Sequence, residues 1–117
     1  MKKVLFMVYQ PPVGNIWINE AVRTAFGMYG EDIEPSILFV GEATIAVRKA
    51  LDPRKVGLLP LNIVFPYLKR FETPVYAVKE DMERLKIDEI EEQWNMKSLL
   101  ENELSAFVHS FDFTIIM

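Results

Sequence analysis

His109 is the only imidazole among 117 residues, and there is no cysteine. Thiolates and imidazoles supply most nucleophiles, general bases and transition-metal ligands near neutral pH. A self-sufficient catalytic or metal centre is therefore not expected, and no cofactor is called for. The remaining candidates are charged groups that follow apolar runs. Glu42 with Lys79 or Glu80 would make an acid/base pair if the ends of those runs are neighbours, but solvated or interfacial charge is the simpler reading. His109 lies near the end of a helical pattern, where it can interact with the negative end of the helix dipole. A metal site would need further ligands of suitable softness around it.

The elements that must position these groups alternate along the chain. Lys3 to Tyr9 is a continuous apolar run too short for a helix, bounded by Gln10-Pro11-Pro12-Val13-Gly14, and reads as a buried parallel strand. Asn15 caps a predicted helix over 16–29, in which Val22, Ala25, Phe26 and Tyr29 share a face, and Gly30 stops it. Ile37 to Val40 is a second strand ended by Gly41, and residues 43–51 a short helix. After a loop over 52–60, Val64, Phe65, Leu68 and Phe71 have helical spacing with Asn62 as cap, which puts Pro66 near the first turn. Pro74 to Val78 follows as a strand and Asp81 to Lys86 as a short helix.

The acidic stretch beyond is less periodic, and a short strand is expected near Glu91 to Trp94. Ser98 and Glu101 have the form of a capping box, and Leu100, Leu104, Phe107 and Phe111 continue at helical offsets. The run Phe111 to Met117 is the last strand. Alternating strands and helices imply an α/β fold: one three-layer domain over 1–117, with a mostly parallel sheet of about five strands covered by helices on both faces, Rossmann-like or flavodoxin-like.

In such a sheet, ligands are met beyond the carboxyl ends of the strands. Those ends bring together the candidate pocket or interface residues Gln10, Asn15, Gly41, Glu42, Tyr76, Val78 and Lys79. The first loop matches neither a dinucleotide fingerprint nor a phosphate-binding loop, and it lacks the hydroxyls that cradle a flavin phosphate. Gly14 is read as a turn residue. Trp17 and Trp94 are read as packing residues that would become anchors at an interface.

Size and composition narrow the classes further. One domain is expected, and an apolar content of 50% with 8 Phe, 4 Tyr and 2 Trp exceeds the needs of one core, which points to subunit contacts. Residues 1–79 carry 10 basic and 7 acidic groups, net +3, and residues 80–117 carry 3 and 10, net −7. The acidic half repels phosphate, so nucleic acid is disfavoured as a direct ligand. No run approaches the ~20 apolar residues of a membrane span, and Met1-Lys2-Lys3 leads directly into a strand without a cleavage region. A cytoplasmic location is the simplest expectation.

Several segments together resemble the DsrE/DsrF/DsrH family: Lys3 to Val8 with its strand-end loop, Leu38-Phe39-Val40-Gly41-Glu42 before a helix, Val75 to Val78 leading into Met82 to Ile87, and Phe111 to Ile116. Length and layout are nearest to the DsrF/TusC branch. The resemblance implies a subunit of a sulfur-relay assembly, serving tRNA thiolation or intracellular sulfur oxidation. In that family the DsrE/TusD-like subunit carries persulfide sulfur on a strand-end cysteine, and its companions include DsrH/TusB-like subunits. The corresponding place here is Val78-Lys79, and neither side chain can hold a persulfide. The resemblance thus implies a non-enzymatic subunit that contributes interfaces. The alternative is a homo-oligomeric domain binding a small ligand or nucleotide at the strand ends.

Overall fold

A computed structural model describes residues 2–10, 17–48 and 70–117, without the side chains of 17–19, 30 and 31. Five strands form one sheet: β1 (Lys2–Val8), β2 (Ile33–Phe39), β3 (Val75–Val78), β4 (Lys97–Leu99) and β5 (Phe113–Ile116). Their order is β4, β3, β2, β1, β5, and every neighbouring pair is parallel. The helices are α1 (Trp17–Gly27), α2 (Lys79–Arg84) and α3 (Leu104–His109).

The order explains why both faces of the sheet are covered. From β1 to β4 the chain steps steadily one way, then returns to the far edge to add β5, and right-handed crossovers put the return on the opposite face. Alternation along each strand then separates two cores. Val4, Phe6 and Val8 of β1, Ile37 and Phe39 of β2, and Val75 and Ala77 of β3 point to one face, where Ala21, Val22 and Ala25 of α1 and Met82 of α2 meet them. Leu5, Leu38, Val78 and Leu99 point to the other, under Leu104, Phe107 and Val108 of α3 and Phe111. This is the expected α/β domain of flavodoxin-like type.

Strand β2 is longer than its predicted apolar run, because Ile33 to Ser36 pair with Lys2 to Leu5. It tolerates Pro35 for a geometric reason. The N–H of Ile37 donates to the Pro74 carbonyl, so the nitrogen of Pro35 also faces the β3 side, where the ladder has not yet begun. The start of β5 is pinned reciprocally. The Lys3 N–H donates to Asp112 Oδ2 at 2.7 Å and the Asp112 N–H donates to the Lys3 carbonyl at 2.8 Å.

Four local expectations are corrected. Helix α1 ends at Gly27, and Gly30 falls inside a following 3₁₀ turn (Met28–Glu31) that Asp32 terminates in the left-handed conformation, φ 57°. The short helix expected over 43–51 is a 3₁₀ helix that begins at Gly41 and ends at Val47, with Arg48 already extended; residues 49–51 lie outside the described residues. The strand expected at Glu91 to Trp94 is a 3₁₀ turn (Glu92–Trp94): the Glu91 side chain accepts the Gln93 N–H, and Trp94 is drawn inward by donating Nε1–H to the Ala46 carbonyl at 3.0 Å. Ser98 is not a cap but the middle of β4. Capping occurs two residues later, where the Leu100 N–H donates to Glu103 Oε1 and the Glu103 N–H to the Leu100 carbonyl. Asn62 and its helical spacing lie outside the described residues, apart from the helical Arg70 and Phe71.

Candidate functional site

The carboxyl ends of β2 and β3 are joined by one carboxylate. Gly41 follows β2 with φ +58°, a conformation that favours glycine. Its N–H donates to Asp81 Oδ2 at 2.7 Å, while Asp81 Oδ1 takes Arg84 Nη2 at 2.7 Å. The Asp81 side chain is only 15% exposed, so this link works in a partly desolvated setting. Thr44 secures the same turn by donating Oγ1–H to the Gly41 carbonyl. On the far side of β3, Glu80 Oε1 accepts the Glu101 N–H at 2.9 Å and ties α2 to the chain after β4.

These contacts engage one member of the acid/base pair considered above. Glu80 is committed to a backbone donor, and among the described residues neither Glu42 nor Lys79 takes part in an ion pair. Glu42 is exposed on the 3₁₀ helix and Lys79 is exposed at the start of α2. His109 ends α3 and is exposed, as expected of a residue near a helix carboxyl end. Among the described residues, no three His, Cys, Asp or Glu side chains are placed to hold a metal ion.

The predicted strand-end set is therefore split. Gly41 belongs to the Asp81 corner, and Gln10 sits half-buried just past β1. Val78 is 1% exposed and belongs to the core beneath α3, so it is neither pocket wall nor interface. Tyr76 points to that same face, edge-on to Phe107 with ring centroids 4.7 Å apart, rather than toward the strand ends. Phe107 in turn packs edge-on against Phe111, whose ring lies under Lys3 Nζ. Asn15 lies outside the described residues, as does the side chain of Trp17. Trp94 is buried, 1% exposed, edge-on to Phe39.

Lys79 does line a concavity, a groove of about 310 Å³ beside α2 that the sequence did not reveal. Met82, Ile87, Ile90 and Met96 form its apolar wall, and Glu83 and Ser98 supply polar atoms. Residues from three segments separated by irregular turns build it, so no periodicity marks it. Asp81 was missed for a different reason. An aspartate in a helix's first turn already has a sufficient local explanation in the helix dipole.

The class of molecule is thus an α/β domain of flavodoxin-like type with a five-stranded parallel sheet, with a buried valine and an exposed lysine where β3 ends. Among solved structures it is similar to the ychN protein from E. coli, with 16% identity and a TM-score of 0.79 over 100% of both chains. It is also similar to a conserved protein of unknown function from Bacteroides thetaiotaomicron, at 9% identity and a TM-score of 0.66 over 97% of this chain and 94% of that one. Comparison with protein-family models and with curated protein sequences gave no match. Among the described residues, no helix is long and apolar enough to cross a membrane.

Proposed function

We propose that this chain is a non-catalytic, DsrF/TusC-like subunit of a sulfur-relay complex, contributing surfaces to the assembly rather than carrying sulfur. One observation carries the reading. At the end of β3, where the resemblance places the sulfur-bearing thiol of a carrier subunit, this chain has a core valine followed by a lysine, and it contains no cysteine elsewhere. Persulfide transfer needs a polarizable thiolate that an incoming thiol can reach. The fold shared with the ychN protein, the resemblance of the sequence to the DsrE/DsrF/DsrH family and the half-buried aromatic row Tyr76, Phe107 and Phe111 support an architectural role. The companions are small DsrE/TusD-like and DsrH/TusB-like chains.

Affinity purification of the tagged chain from its native cells, with mass spectrometry of what accompanies it, tests the reading. Stoichiometric recovery of small cysteine-bearing relatives is the expected result. Incubated with a cysteine desulfurase and cysteine, the isolated chain should show no mass increase of one sulfur atom. A specific single-sulfur adduct would end the proposal.

The groove at Lys79 favours a second reading, a small-ligand domain, since an apolar wall with few polar groups is the usual make-up of such sites. A thermal-shift screen with nucleotides and small amphipathic anions decides it. Saturable stabilisation that Lys79→Ala abolishes would favour ligand binding, because a ligand bound to the folded state at 100 times its Kd adds about 2.7 kcal/mol. No stabilisation across the screen would leave the assembly reading in place.

A further inference from the structure

The two edges of the sheet are unlike. At one edge β4 has three residues, two of them the exposed Lys97 and Ser98, and it follows Asn95 in the left-handed conformation, φ 48°. The exposed lysine is an ordinary protection against edge pairing, and it rather than length separates this edge from the four-residue β5. At the other edge β5 has no charged residue and no proline, and it exposes large apolar side chains on both faces: Phe113 is 58% and Ile116 61% exposed. An unprotected apolar edge of this kind is a template for another strand.

Backbone parity shows which strand fits. The Met117 N–H donates to the Met7 carbonyl, so odd-numbered residues of this segment turn their backbone groups toward β1. Thr114 and Ile116 therefore turn theirs outward, and no described residue meets them. In an antiparallel ladder, residues directly opposite exchange both hydrogen bonds at every second position. A twofold axis normal to the sheet at Ile115 places Thr114 opposite Ile116 of a second copy, and Ile116 opposite that copy's Thr114. All four outward residues are satisfied at once, with four new hydrogen bonds. The same axis keeps side-chain faces matched. Phe113, Ile115 and Met117 lie on the α1 face, and Thr114 and Ile116 on the α3 face. Phe113 thus meets Met117 across the junction, and Ile115 meets its own copy.

Charge agrees with this arrangement. Lys2, Lys3 and Asp112 cluster at the start of β1 and β5, with Lys2 Nζ 5.9 Å from the Phe113 ring centroid. Antiparallel pairing carries the two clusters to opposite ends of the junction, whereas parallel pairing would set like charges side by side. We infer that β5 is the interface of a symmetric homodimer, in which two sheets join through antiparallel β5 strands centred on Ile115 into one ten-stranded sheet. The closed twofold contact uses up the β5 edge, which no described residue pairs, and the exposed Lys97 on the β4 edges disfavours further growth. This inference concerns self-association only and stands or falls separately from the sulfur-relay reading.

The test is sedimentation over a concentration series with the wild-type chain, I116K, T114E and the double variant T114E/I116K, each checked for fold by circular dichroism. The wild type should move from 13.6 kDa toward twice that mass. Each single variant should lose the dimer. The double variant should regain it, because each introduced lysine then faces an introduced glutamate across the axis. Amide hydrogen exchange of the wild type supplies a readout free of mutation: Thr114 and Ile116 should be protected at high concentration and exposed on dilution. A wild type monomeric throughout would overturn the inference. So would an oligomer that survives I116K, a double variant that stays monomeric, or unprotected Thr114 and Ile116 amides in the dimer.

Discussion

Gly41 and Asp81 are adjacent in space, and they separate two kinds of residue effect. A Cβ added at Gly41 meets nothing within 4 Å, so Gly41→Ala is opposed only by its backbone conformation, φ +58°. The expected loss is about 1–2 kcal/mol, read as a lower urea midpoint with an unchanged slope. Asp81→Ala removes a charged acceptor from a half-buried N–H and should cost about 1.5–3 kcal/mol, with Asp81→Asn losing less because an oxygen remains. Tyr29 offers a pH test. Burial raises its phenol pKa above the usual value, the hydrogen bond shared with Thr73 lowers it, and the charge of Glu34 raises it. A raised folded-state pKa leaves stability intact below the unfolded pKa, about 10, and removes it as pH climbs through the folded value. Tyr29→Phe keeps the stacking on Phe71, 4.6 Å between centroids, and should flatten the fall in thermal stability above pH 10.

At the scale of elements, the two faces of the sheet differ in how firmly they are covered. The α1 face is sealed by fully buried side chains, while the α3 face depends on a six-residue helix whose inward residues remain half-exposed. So short a helix has little stability of its own and is held by packing. Phe107→Ala removes the centre of the row from Tyr76 to Phe111 and should cost up to about 3 kcal/mol, since full burial of the ring would set the usual 3–5. Hydrogen exchange should accelerate in α3 well before β1 and β2. The turn at Glu92–Trp94 shows why its prediction failed. Its conformation is decided by the Trp94 bond to Ala46, 48 residues earlier, and no local period encodes that partner.

Across the whole molecule, the decisive contrast is between Val78 and Lys79. One lies in the core and the other in water, one residue apart at the end of β3. A thiol introduced by Val78→Cys should resist alkylating reagents until the protein unfolds, whereas one introduced by Lys79→Cys should react in the folded state. Equal rates at the two positions would contradict the burial that separates them. The contrast also limits any attempt to restore a sulfur carrier here: Lys79→Cys is the substitution that presents sulfur to a partner.

The parallel α/β architecture was legible because β1, β2 and β3 are short apolar runs buried on two faces, separated by helical spacing and turn residues. That pattern is local, and hydrophobic burial reads it directly. The lack of a thiol carrier was equally plain, since composition alone settles it. Strand order, the Asp81 clasp and the Lys79 groove are different in kind. Each depends on which distant segments meet, and the energy of such meetings resides in contacts between residues tens of positions apart. The misassigned caps at Gly30 and Ser98 have the same origin, because local propensity yields wherever a strand pairing or a buried side chain stabilises another conformation more. The sequence by itself determined the kinds of elements and the chemistry this chain lacks, through composition and local spacing. Only the tertiary structure decided which side chains share a site and which strands form the edges of the sheet, because both follow from long-range packing.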